Sequence, residues 1–146
     1  LNQALLRGQR NQSHCALLFF DLDKFKPIND QYGHEVGDQV LQAVAARLNE
    51  QVRSHDTVAR LGGDEFIIVL EDLNDSDHAA QLAEKIIKAL SKPYLINDLS
   101  LSIGCSVGIS ISPQDGNDSI TLTRNADHAM YDAKAVGTNR YSFYSN

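Results

Sequence analysis

Apolar and polar positions recur with different periods along the chain, and the changes of period mark out its elements. The run Cys15-Ala16-Leu17-Leu18-Phe19-Phe20 is apolar without interruption and stops at Asp21, the pattern of a central strand covered on both faces. Val36, Val40, Leu41, Val44, Ala45, Leu48 and Val52 fall on one stripe at helical spacing, which predicts a long amphipathic helix over 36–52. Thr57 to Leu61 and Glu65 to Leu70 are short β-prone runs joined through Gly62-Gly63, a pair that permits the positive φ of a tight hairpin. A second helix follows, capped by Ser76, with Ala79, Leu82, Ala83, Ile86, Ile87 and Leu90 on its inner face and Pro93 blocking its continuation.

After Pro93 the period falls to two. Leu99, Leu101, Ile103, Cys105, Val107, Ile109 and Ile111 alternate with Ser or Gly, which predicts one long strand covered on one face. Residues 113–118 carry turn chemistry. Leu122, Ala126, Ala129, Met130 and Ala133 then define a further helix that stops at Gly137. A weakly alternating strand, Tyr141 to Tyr144, closes the series. Leu1, Leu5 and Leu6 have helical spacing without a cap, so residues 1–10 read as the end of a helix that begins upstream. The order strand, helix, hairpin, helix, long strand, helix, strand predicts an α+β fold, a mostly antiparallel central sheet flanked by helices.

Composition narrows the function classes. A chain of 146 residues with 42% hydrophobic content has the size of a single domain, here 1–146. A formal charge of -6 argues against a broad nucleic-acid surface, which needs clustered Lys and Arg. It leaves room for one nucleotide, with a divalent cation and a few basic groups offsetting the phosphates. Cys15 and Cys105 lie in apolar segments and read as buried free thiols. No apolar run approaches the ~18 residues of a membrane span, so no membrane contact is expected of this segment and it reads as cytoplasmic, while its parent could be membrane-anchored.

The candidate chemistry sits at two element junctions. Asp21-Leu22-Asp23 ends the first strand, where one of the two carboxylates need face a ligand. Asp64-Glu65 follows the glycine pair. Carboxylates from neighbouring strands could make a small magnesium site open to phosphate oxygens, or they could be solvated strand ends. Lys24 and Lys26 could neutralise charge on a transferred phosphoryl group, or be surface lysines. Asn29, Asp30, His34, Glu35 and Asp38 crowd the loop before the long helix and its first turn. Asn and Asp there match the donor and acceptor edge of guanine and equally suit helix capping.

Taken together, Asp21-Leu22-Asp23-Lys24-Phe25-Lys26-Pro27-Ile28-Asn29-Asp30, Gly33-His34 with Gly37-Asp38, and Gly62-Gly63-Asp64-Glu65-Phe66 resemble the ordered signature of the GGDEF family. The likeness continues through Ser106-Val107-Gly108-Ile109 and through Ala126 to Lys134. It implies a fold related to nucleotidyl cyclases and polymerase palms, and a diguanylate cyclase that condenses two GTP into cyclic di-GMP with loss of two pyrophosphates. By this resemblance Asp21, Asp64 and the Leu22 carbonyl would hold magnesium, with manganese able to replace it. Asn29 and Asp38 would read guanine, and His34, Gly62 and Gly63 would line the nucleotide site. Lys26 would stabilise charge at the reacting phosphate and Lys134 would contact the terminal phosphates. Asp64 would be the proton acceptor or only a metal ligand.

Arg53-Ser54-His55-Asp56 resembles the family's Arg-x-x-Asp product site, so Arg53 and Asp56 would bind inhibitory cyclic di-GMP. The resemblance further implies activity as a homodimer brought together by an upstream sensory domain, with a C-terminal phosphodiesterase fusion as one arrangement of the parent. One departure is Thr138 after Gly137, where the family often has Arg; Arg140 is the candidate substitute. The competing readings are a catalytically silent GTP- or cyclic di-GMP-binding regulatory domain and an unrelated magnesium-dependent nucleotidyltransferase or purine cyclase on a similar fold.

Overall fold

A computed structural model of the chain describes Leu6 and residues 14–54, 56–73 and 75–145. Five strands form the central sheet in the order β2-β3-β1-β6-β7: β1 (His14–Asp23), β2 (Thr57–Gly62), β3 (Glu65–Leu73), β6 (Gly104–Ser112) and β7 (Tyr141–Phe143). All neighbours pair antiparallel except β6 and β7, which run parallel. The helices are α1 (Phe25–Tyr32), α2 (His34–Gln51), α3 (Ser76–Leu90) and α4 (Ser119–Val136), and β4 (Tyr94–Ile96) with β5 (Leu99–Leu101) makes a separate hairpin. The mostly antiparallel α+β architecture expected from the pattern is the one found. The helix expected over 1–10 lies, apart from Leu6, outside the described residues.

Strand β1 sits at the centre because both its faces are apolar. Ala16, Leu18, Phe20 and Leu22 pack under α1, α2 and α3 in the main core, where Phe20 stacks on Phe66 at 5.7 Å. Leu17 and Phe19 face α4 through Leu122, Ala126 and Met130. Asp21 and Asp23 continue this second row. Residues two apart on a strand share a face, so both acids, not one of them, are on the side of α4.

The long strand expected over 99–111 is two strands. Asn97 and Asp98, at φ 52 and 66, turn β4 back onto β5, as Asn and Asp tolerate this conformation. The chain then breaks at Ser102-Ile103 before β6. Nor is β6 covered on one face only: all nine of its residues are buried. Its Ser and Gly positions accept α4 at very short range. A Cβ on Gly108 would come within 1.9 Å of the Ala126 carbonyl oxygen and 2.4 Å of the Met130 nitrogen, and the Ser110 hydroxyl donates to the Leu122 carbonyl at 2.8 Å.

Three local expectations also change. Residues 25–32, read as part of a loop, form α1, whose buried Phe25 and Ile28 are too few to set up a helical period. The cap of α3 is Asp75, which accepts from the His78 amide, and Ser76 is the first helical residue. The β2–β3 turn is centred on Gly63-Asp64, since Gly62 still pairs with Glu65. Gly63, at φ 52, supplies the left-handed residue that such a turn needs. Gly137 ends α4 as expected, and both cysteines are buried and form no disulfide among the described residues.

Candidate active site

The sheet brings the predicted acids to one pole. Asp21 on β1 pairs with Glu65, the first residue of β3, so the turn that carries Asp64 lies beside the end of β1. The Leu22 amide donates to the Asp64 carbonyl at 3.2 Å. Arg60 fixes the other side of the turn by donating its Nε–H to the Gly63 carbonyl at 2.8 Å. Apart from the adjoining residues, no heavy atom of the described residues lies within 4 Å of where a Cβ would be on Gly62 or Gly63, leaving backbone open to close approach by a phosphate.

Lys134, near the end of α4, reaches over these acids. Its Nζ lies 2.5 Å from Asp21 Oδ2 and 3.7 Å from Asp23 Oδ1. Burial disfavours the ammonium, but the hydrogen bond to Asp21 and the charges of Asp21, Asp23 and Asp64 outweigh it and hold its pKa above the ordinary lysine value. Burial raises the Asp64 carboxyl above the usual carboxylate range, and the charge of Asp21 raises it further. Asp23 is raised by burial against the pull of Lys134. Asp127, two turns before Lys134 on the same face of α4 and not assigned a role by the sequence, is raised by burial and then by Asp21. The excess of carboxylate over ammonium makes this a cation-seeking site.

A direct test of fit to a divalent cation is Asp21. Its Oδ1 is buried and has no hydrogen-bond partner among the described residues, an arrangement that costs stability unless a further cation or donor arrives. No group of three or more His, Cys, Asp or Glu side chains gathers as a metal site among the described residues. Magnesium commonly takes one or two carboxylates and fills its remaining positions with waters and phosphate oxygens, so Asp21 and Asp64 suit it.

The predicted base-reading residues lie on the neighbouring helices. Neither Asn29, Asp30 nor Asp38 caps α2: the cap position is Gly33, without a side-chain hydrogen bond. Asn29 instead rests on Gly37, where an added Cβ would fall 1.7 Å from Asn29 Oδ1. Asp38 lines a cleft of about 480 Å³ with Leu41, Gln42, Val58, Arg60 and Phe66. That cleft joins α2 to the acid-bearing hairpin through Arg60. Lys26 and His34 are exposed on α1 and at the start of α2.

Arg53 and Asp56 form an ion pair away from these acids. Arg53 donates through Nε and Nη2 to the two Asp56 oxygens, each at 3.0 Å, and through Nη2 to the Glu71 carbonyl at 2.8 Å. His55 lies outside the described residues. Glu71 is six residues along β3 from Glu65, a distance of about 20 Å at strand rise, so this pair is remote from Asp64. Thr138 lines a small cavity with Asp23 and Lys24. Arg140, the expected substitute at that position, lines a different groove with Glu84, Lys88 and Tyr141.

Residues 1–140 match the family described as diguanylate cyclase, GGDEF domain. The chain belongs to the GGDEF family. The GGDEF domain is 47% identical over its whole length to the bifunctional diguanylate cyclase/cyclic di-GMP phosphodiesterase MucR of Pseudomonas aeruginosa, of which it covers 21%. It is 40% identical over 99% of its length to the cyclic di-GMP phosphodiesterase NbdA of the same organism, covering 18% of that protein. The chain thus spans about a fifth of the length of these relatives. Its structure superposes on the GGDEF domain of TpbB from Pseudomonas aeruginosa with a TM-score of 0.96 at 36% identity, covering 100% of this chain and 91% of the other. Among the described residues no helix is long and apolar enough to cross a membrane.

Proposed function

We propose that this GGDEF domain is a diguanylate cyclase that joins two GTP molecules into cyclic di-GMP, and that it works as a homodimer in which each copy brings one GTP. The observation that carries this reading is the opposition of Asp21 and Asp64 beneath Lys134, next to an intact Gly62–Phe66 turn and a cleft leading to Asp38. Magnesium, or manganese in its place, would be held by Asp21, Asp64 and the Leu22 carbonyl and would supply positive charge to the phosphate oxygens. The Asp38 carboxylate accepts from the N–H donors of the guanine edge, the Asn29 carboxamide donates to its acceptors, and His34 borders the nucleotide. The open backbone at Gly62-Gly63 lets the phosphates approach. Lys134 binds the terminal phosphates, and Lys26 stabilises charge at the α-phosphate.

In the reaction the 3′-hydroxyl of each GTP forms a bond to the α-phosphorus of the other. The bond from each α-phosphorus to its bridging oxygen breaks, and two pyrophosphates leave with the electron pairs. Asp64 is the candidate acceptor of the hydroxyl protons, unless it serves only to hold the metal. Catalysis is then chiefly positioning and electrostatic stabilisation. Arg53 and Asp56 form the inhibitory product site. A ligand about 20 Å from Asp64 cannot block chemistry by contact within one copy, so inhibition works by fixing how two copies are arranged.

The test is to incubate concentrated or artificially dimerised protein with GTP and magnesium and to separate the products chromatographically. Cyclic di-GMP formed by this protein and absent with Asp64→Ala supports the cyclase. GTP binding without product, even when dimerised, favours the second reading, a silent regulatory module. Similarity to NbdA, a protein named for the phosphodiesterase activity, keeps that reading in play.

A further inference from the structure

The cation-seeking pole already holds a cation, and it holds it on the carboxylate expected to bind the metal. Lys134 Nζ is hydrogen-bonded to Asp21 Oδ2, while the other oxygen of the same carboxylate is buried and unpartnered among the described residues. A divalent ion and an ammonium sharing one carboxylate repel strongly in a half-buried site. A second seat for the ammonium is close by. Asp23 Oδ1 is 3.7 Å from Nζ, so a movement of about 1 Å brings it to the length of a charge-assisted hydrogen bond. Asp23 cannot easily turn away, because its Oδ2 accepts from the hydroxyl of the fully buried Ser106 at 3.4 Å.

We propose that Lys134 is the resident counter-ion of the metal position, bound to Asp21 until a divalent cation displaces it, and that Asp23, anchored by Ser106, is the seat onto which its ammonium moves. Asp23 is thus a positioning residue for Lys134. It keeps the displaced charge beside the incoming phosphates instead of releasing it to solvent, and it lowers the cost of loading the metal. The inference rests on the proposed metal position at Asp21 and Asp64.

The experiment is a manganese titration of the full chain without nucleotide, followed by the electron paramagnetic resonance signal of the free ion. Lys134→Met should tighten manganese binding, and Asp23→Asn should weaken it, each by roughly tenfold. In the Lys134→Met background the Asp23→Asn effect should shrink to less than about twofold, the signature of two residues acting as a unit. Ser106→Ala should give a smaller loss of the same sign, also absent without Lys134, and serves if Asp23→Asn fails to fold by circular dichroism.

An equal Asp23→Asn loss in both backgrounds would mean that its charge acts on the metal directly, and the relay would be wrong. So would unchanged or weaker binding in Lys134→Met. Asp64→Asn separates the two levels. If it leaves manganese affinity intact, the metal position itself fails and the relay with it; if it weakens binding while the double-mutant cycle is flat, the relay alone fails.

Discussion

Arg47 of α2 lies over the ring of Tyr94, with its guanidinium carbon 3.7 Å from the ring centroid. The same guanidinium donates to the carbonyls of Ala89, Lys92 and Pro93 at 2.8 to 2.9 Å. One side chain therefore satisfies the end of α3, orients the β4–β5 hairpin and ties both to α2. Arg47→Met keeps the apolar stem and should still cost about 2 kcal/mol, from lost hydrogen bonds and cation–π attraction. Urea unfolding should show a lower midpoint at unchanged slope. Arg47→Lys should recover little, since an ammonium cannot lie flat on the ring and serve three carbonyls together.

Burial pushes the Tyr94 phenol from its ordinary value near 10 up to about 12. A group with a raised folded pKa contributes stability below its unfolded pKa and loses it as pH climbs through the folded one. Stability should therefore fall by about 3 kcal/mol between pH 10 and 12 through this residue. Tyr94→Phe should start lower, having lost the hydrogen bond to the Leu90 carbonyl, and should decline less over that window in alkaline urea titrations.

Gly108→Ala should be strongly destabilising, because the atoms it meets belong to the backbone of α4 and cannot rotate aside. Overpacking of this kind costs about 1–3 kcal/mol or more, readable as a drop in thermal midpoint.

Gly37→Ala separates recognition from stability. Alanine suits the interior of α2, but its Cβ would displace the Asn29 carboxamide. The fold should survive by circular dichroism, while GTP affinity by calorimetry falls roughly tenfold, the value of one good polar contact. Unchanged affinity would remove Asn29 from the guanine-reading set.

Arg53→Ala should relieve inhibition by added cyclic di-GMP and leave GTP affinity within about twofold, as expected for sites too far apart to share partners. Initial rates across a product titration would show it.

The sequence displayed the sheet through β1 and the hairpin through Gly62-Gly63, where period and turn chemistry agree. It misled at β6, because Ser106, Gly108 and Ser110 have the polarity of a solvent face and the size required for helix contact. Only the partner element distinguishes the two. α1 was hidden for a related reason, since two buried residues leave no period to detect. The nearness of Asp21 and Asp64 was legible from their places at the ends of runs that read as neighbouring strands. The grip of Lys134 on Asp21 and Asp23 was not, because it spans more than a hundred positions of the chain and depends on how α4 settles on β1 and β6. Arg60 was overlooked as well; its only local sign is a basic residue three positions before the turn carbonyl that it holds.

β1 begins beside the end of β6, where His14 meets the Ser112 carbonyl at 3.2 Å, and β7 runs parallel to β6, with the Tyr144 amide donating to Ile109 at 2.7 Å. The chain therefore enters β1 and leaves β7 heading to or from the rim opposite the acids. A tether attached there grips the molecule from behind, so under the proposed dimeric mechanism its length and stiffness could be retuned to set how often two acid-bearing rims collide without rebuilding a single contact on either.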